Sequence, residues 1–212
     1  SEMCIRDRNY DIERILKPAF KLFLTYNYEA VTTTKLEEET GLTRGAIFFK
    51  HKTKEALFKA VIDNYIISFQ SASSKIQAES LKEFIELFLN GVEMRMKELQ
   101  QLGITNLARG YFNLLYQAVQ YYPSFSDTIT AIFNNSVNEW ECIISKAKES
   151  GEVKLACDVH STALKFRYVY SGMSFEYSFN KGLDINKLRE LFDKYYEAVS
   201  YTHLRAHETP EH

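Results

Sequence analysis

Proline is scarce in this chain, with three residues in 212, and glycine is not much commoner, with eight. So few breakers, no long β-branched runs and many Leu, Lys, Glu and Ala exclude a loop-rich or mainly β protein and favour an all-helical one. Cysteine is equally sparse. Cys4, Cys142 and Cys157 are odd in number and far apart, which excludes a disulfide framework. No C-x-x-C pair or Cys/His cluster suggests zinc, and reduced thiols in a cytoplasmic protein are expected. No apolar stretch reaches 18 residues, so no membrane span is expected, and the first residues lack the apolar core of a signal peptide. Gly-rich phosphate loops, nucleophile elbows and metal-ligand pairs are missing as well. No enzyme activity, metal or cofactor is therefore expected. Nor is there a large excess of one charge: the net value of −2 argues against wholesale polyanion binding, but leaves room for one local basic patch.

What the chain does have is apolar bulk. Hydrophobic residues make up 45%, including 14 Tyr and 15 Phe, enough for a sizeable core. Both ends differ from the rest. SEMCIRDR at 1–8 lacks helical periodicity, and YTHLRAHETPEH from Tyr201 breaks the preceding pattern while holding three of the five His. Residues 1–8 and 201–212 read as non-native, adapter-derived tails rather than as a metal site.

Helical spacing of Ile12, Ile15, Leu16, Ala19, Phe20 and Phe23 predicts a first helix from Asp11 to Tyr26, distorted where Pro18 removes a backbone donor. Asn27 is expected as its left-handed C-cap. Thr34-x-x-Glu37 fits a capping box for a second short helix ending near Thr40. Gly41 then supplies a turn and Leu42 a buried anchor. Thr43 caps a third helix to about Phe49, and Thr53 caps a fourth to about Ser74. Helices follow at 80–99, with Phe84, Ile85, Leu87, Phe88 and Val92 on one face, and at 111–121. Pro123 opens another to Ser150, and 159–180 and 185–199 are the last two. Two short helices about a Gly turn, followed by a basic helix start, suit a helix-turn-helix that places one helix in DNA. From Thr43 to Lys59, Arg44, Lys50, Lys52, Lys54 and Lys59 stand against Glu55 alone, a local charge of +4. Glu37, Glu38 and Glu39 should turn outward, since facing phosphate they would repel it.

The segment Ile15 to Phe58 resembles the DNA-binding head of the TetR (tetracycline-repressor) family of bacterial regulators. The resemblance rests on Leu22-Phe23, Asn27-Tyr28, Thr32-Thr33, Leu36, Gly41-Leu42, Arg44-Gly45 and Lys54-Glu55-x-Leu57. It implies an all-α fold: an N-terminal three-helix helix-turn-helix head (9–52) joined by a shared fourth helix to a larger helical ligand-binding and dimerisation domain (53–200). By position, Thr43, Arg44, Gly45 and Ala46 should face bases or backbone, with Arg44 the best base reader. Thr33 and Lys54 match phosphate-contacting positions. Three departures stand out. Phe48 and Phe49 replace a Tyr that donates to phosphate, so their contacts should be van der Waals only, as with a thymine methyl. Lys50 replaces a common His and should restore a phosphate contact by charge. His51 replaces an apolar Phe that closes the head, and reads as a half-satisfied core His.

For the remainder, the resemblance implies a homodimer formed through the last two helices. Phe166, Tyr170, Met173 and Tyr177 lie on one expected apolar stripe, and Leu188, Phe192 and Tyr195 on the other; plain core is the alternative. Phe112, Tyr116, Trp140 and Tyr168, with Arg109, either line a pocket for an apolar or amphipathic small-molecule effector or serve as ordinary core and surface. The leading expectation is a ligand-responsive repressor that binds a palindromic double-stranded DNA operator as a dimer. An activator on the same scaffold is a near neighbour. A helical interaction module without specific DNA binding is the alternative, favoured if Pro18 and His51 have degraded the head.

Overall fold

The computed structural model describes residues 10–71, 76–101, 103, 104 and 106–201. The expected tails at 1–8 and 201–212 lie outside the described residues, except Tyr201. The described chain is helical, as the sparse breakers predicted. Helix α1 begins with a π-helical stretch, Ile12–Leu16, and continues as Lys17–Thr25. Helix α2 is Thr33–Thr40, α3 is Arg44–His51, and α4 runs through Lys54–Ile62, a second π stretch Asp63–Ile67 and Ser68–Gln70. Helices α5 (Leu81–Gln100), α6 (Leu107–Tyr121), α7 (Phe125–Glu149), α8 (Val159–Ser178) and α9 (Ile185–Val199) follow.

Pro18 sits in the first turn of the regular part of α1, directly after the π stretch. The widened turn carries the chain past the missing amide donor, so the expected distortion is present and the helix is not broken. Three local expectations are corrected. Tyr26 and Asn27 are extended, not left-handed, and Asn27 Oδ1 accepts from Ala30 N at 3.1 Å to open a 3₁₀ turn, Tyr28–Ala30. The N-cap of α2 is Thr32, whose Oγ1 accepts from Lys35 N at 3.3 Å, so Thr34 and Glu37 form no capping box. Pro123 lies before α7 and not in its first turn, because Ser124 takes a left-handed conformation (φ 63°) ahead of Phe125.

The chain divides into two compact units, Ser1–Ser71 with Arg109–Thr130, and Ala72–Ala108 with Ala131–His212. The first extends beyond the 9–52 head because it also takes in α4, nearly all of α6 and the start of α7. Its core holds Phe20, Phe23, Tyr28, Leu36, Ile47, Leu57, Phe58 and Ile62, all buried. Phe20 stacks on Tyr65 with centroids 4.2 Å apart, and Phe23 meets Phe58 edge-on at 4.9 Å. Tyr121 stacks on Tyr28 at 4.0 Å while its hydroxyl donates to Glu29 Oε1 at 2.9 Å. Tyr122 OH donates to Asp63 Oδ1 at 2.7 Å and accepts from Lys59 Nζ at 2.7 Å.

The second unit is organised around Trp140. It stacks parallel on Phe166 at 4.7 Å and takes Phe84 and Phe192 edge-on at 4.8 and 5.8 Å. Leu81, Ile85, Leu89, Ile144, Ala163 and Leu188 complete this core. Leu87, expected on the buried face of α5, is 40% exposed. Glu152, from the turn after α7, accepts from the first amides of α5 (Leu81 N at 2.9 Å, Lys82 N at 3.0 Å) and from Tyr196 OH at 3.1 Å.

Candidate nucleic-acid interface

The site is built on α2, the turn and α3. Gly41 closes α2 in the left-handed conformation (φ 68°) that glycine adopts without steric cost. Thr40 Oγ1 accepts from Leu42 N at 3.1 Å and fixes the turn from the buried side. Thr43 caps α3, its Oγ1 accepting from Ala46 N at 3.3 Å. Glu37 Oε1 accepts from Arg44 N at 2.7 Å. Glu37 is thus turned toward the start of α3 and not outward as expected, where it satisfies an amide that the helix leaves free. Glu39 pairs with Lys21 at 2.8 Å, and Glu38 is exposed.

Helix α3 has a sharp inside and outside. Ile47 is fully buried and His51, one turn on, is half-buried, while Thr43, Arg44, Gly45, Ala46, Phe49 and Lys50 are exposed and Phe48 is half-buried. At Gly45 an added Cβ would meet only Thr43 Oγ1, at 3.9 Å, so another molecule can come close to this backbone. His51 has a full partner that sequence reasoning did not assign. Asp11, itself buried, places Oδ1 2.9 Å from His51 Nε2 and Oδ2 3.5 Å from Lys50 Nζ. The signal was a polar residue in an apolar closing position, which demands a buried acceptor elsewhere in the head.

Lys54 is engaged within the head. Its ammonium donates to Tyr28 O at 2.9 Å and Val31 O at 3.1 Å and lies 4.3 Å from the Tyr28 ring centroid. It ties the start of α4 to the segment before α2. Lys59 is likewise engaged, with Asp63 at 2.9 Å and with Tyr122, whose hydrogen bond is the main cause of its raised pKa. The outward cations of the α3 region are therefore Arg44, Lys50 and Lys52, with half-buried Thr33 at the first position of α2.

The residues expected in a pocket fall in both units. Within the first unit, Phe112 is half-buried against Tyr111, while Arg109 and Tyr116 are exposed. Within the second, Trp140 is spent on core stacking and Tyr168 is 63% exposed. The expected dimer stripe also divides. Phe166, Leu188 and Phe192 are fully buried in the unit's own core, and Tyr170, Met173, Tyr177 and Tyr195 are half-buried. What α8 and the residue just after it expose is a neighbouring stripe, Tyr168, Phe175 and Phe179.

A capped pair of short helices about a left-handed glycine, with a cationic outer face on the second, has the geometry of a helix-turn-helix. Residues 15–61 match the sequence model of bacterial regulatory proteins of the tetR family, a match confined to this head. The chain is similar to the HTH-type transcriptional repressor ComR of Escherichia coli (strain K12), with 38% identity over 64 residues, 30% of each chain. The match thus spans under a third of that relative's length. Over nearly the whole chain the fold is that of a SmeT–triclosan complex (TM-score 0.67, 17% identity, 94% of this chain and 97% of that one). It is also that of a TetR transcription regulator from Haloarcula marismortui (TM-score 0.70, 15% identity, 89% and 97%). Among the described residues, no helix is long and apolar enough to cross a membrane.

Proposed function

We propose that this protein is a ligand-responsive transcriptional repressor that binds a two-fold-symmetric DNA operator as a homodimer. The observation that carries the reading is the outer face of α3, where Arg44, Gly45 and Ala46 are exposed above fully buried Ile47. Arg44 reads guanine through its fork of donors, and Gly45 lets the backbone approach the groove. Thr33 offers an α2 first-turn amide to phosphate, and Lys50 adds charge. The alternative of an interaction module rested on damage to the head. Pro18 is absorbed by a π turn and His51 is paired with Asp11, which favours a working head.

Residues 53–200 supply dimerisation and effector binding. Their self-pairing surface is the exposed stripe of Tyr168 and Phe175 on α8 and Phe179 just after it, and not the buried Phe166, Leu188 and Phe192. The effector is an apolar or amphipathic small molecule, in keeping with the triclosan held by the SmeT structure. Derepression requires the effector to favour the conformation that does not bind DNA. Titration of the purified protein onto DNA upstream of its own gene tests the reading. Saturable binding that weakens steeply with salt is expected, and binding no tighter than to unrelated DNA sinks it.

A further inference from the structure

Phe49 is the most conspicuous side chain to which the DNA-binding reading gives van der Waals contact but no stated partner. Its ring is 79% exposed, although the neighbouring Phe48 is half-buried and Ile47 fully buried. A lone exposed aromatic on a protein surface needs no explanation. This one stands on the outer face of α3, one turn after Gly45, where the backbone is open, and among the exposed cations Arg44, Lys50 and Lys52. Lys52 Nζ lies 5.1 Å from its ring centroid. An apolar surface framed by positive charge suits a partner that is anionic overall but carries an apolar spot. Phenylalanine has no donor or acceptor, so it cannot bond phosphate or the polar edge of a base. In the major groove the C5-methyl of thymine is the apolar group it can cover.

Resting on the reading of α3 as the recognition helix, we propose that Phe49 is a specificity-determining residue that packs on a thymine methyl group in each operator half-site. Arg44 then sets a guanine position by hydrogen bonding, and Phe49 sets a thymine position by shape.

The full-length protein is first used to select its preferred sequence from random duplex DNA. Each half-site thymine is then replaced singly by uracil, which removes the methyl and leaves the hydrogen-bonding edges intact. One uracil position is expected to weaken wild-type binding about fourfold, the value of one methyl group. The same uracil should leave Phe49→Ala binding unchanged, the variant having already lost that contact. Circular dichroism and thermal melting check that the variant folds, which its exposure favours. Indifference of the wild type to uracil at every thymine, with tight binding retained, overturns the proposal alone. An equal uracil penalty in wild type and Phe49→Ala does the same. Failure to bind any DNA in a salt-sensitive way overturns the DNA-binding reading and the Phe49 assignment with it.

Discussion

A lysine can neutralise a phosphate only where its side chain is within reach of it, and Lys50, exposed, and Lys54, half-buried, differ in exposure. Lys54 holds two backbone carbonyls and the Tyr28 ring, while Lys50 is exposed at the edge of α3 beside Asp11. Lys54→Ala should therefore lower unfolding free energy by about 1–2 kcal/mol, read by urea titration, with little change in the salt dependence of DNA binding. Lys50→Ala should leave the melting temperature nearly unchanged and reduce the slope of log K against log salt by about one. Arg44→Ala is expected to lose about 1–3 kcal/mol of discrimination at one operator position, measured by comparing matched and mismatched duplexes. Retention of full discrimination would remove Arg44 as the base reader. The sequence pattern placed Arg44 and Gly45 on the outer side of α3, because exposure on a short helix follows from position. It did not show the bonds of Lys54 to Tyr28 and Val31, because a side chain's partners across the fold are not written in local spacing.

At the level of elements, caps and turns were largely legible, because hydroxyls before helices and glycine after them act within a few residues. Thr43, Thr53 and Gly41 stand where expected. Asn27, Glu37 and Pro123 do not, since each had two local options and tertiary packing chose. At Gly41 an added Cβ would meet nothing within 4 Å, so Gly41→Ala costs backbone strain alone. A loss of about 1 kcal/mol is expected in thermal unfolding. The joint made by Glu152 has a pH signature. Burial, then the nearby Glu152 carboxylate, pushes the Tyr196 phenol from its ordinary 10.0 up to about 12. The folded state therefore keeps its proton where the unfolded state loses it. The stabilising contribution is complete below pH 10 and disappears as pH rises through 12. Urea unfolding between pH 9.5 and 12 should show a shallower fall in stability for Tyr196→Phe than for the wild type. Identical slopes would show that this phenol does not contribute.

For the whole molecule, helical periodicity correctly indicated an all-α chain but not which apolar face each helix turns inward. In α8 and α9 the stripe chosen for self-pairing includes Phe166, Leu188 and Phe192, which the unit's own core consumes around Trp140. Spacing alone cannot separate two adjacent apolar stripes on one helix, and Tyr168, Phe175 and Phe179 are the ones left exposed. If these form the dimer surface, Phe175→Glu should convert dimer to monomer in light scattering while preserving helical content. A variant that stays dimeric would place the interface elsewhere. The central claim is that two copies of α3 read a symmetric operator, and selection of bound sequences from a random duplex pool tests it most directly. Enrichment of a two-fold-symmetric motif, with half-sites about 34–36 Å apart or at a wider regular spacing, is the predicted result. A pool that remains random after repeated selection would contradict it.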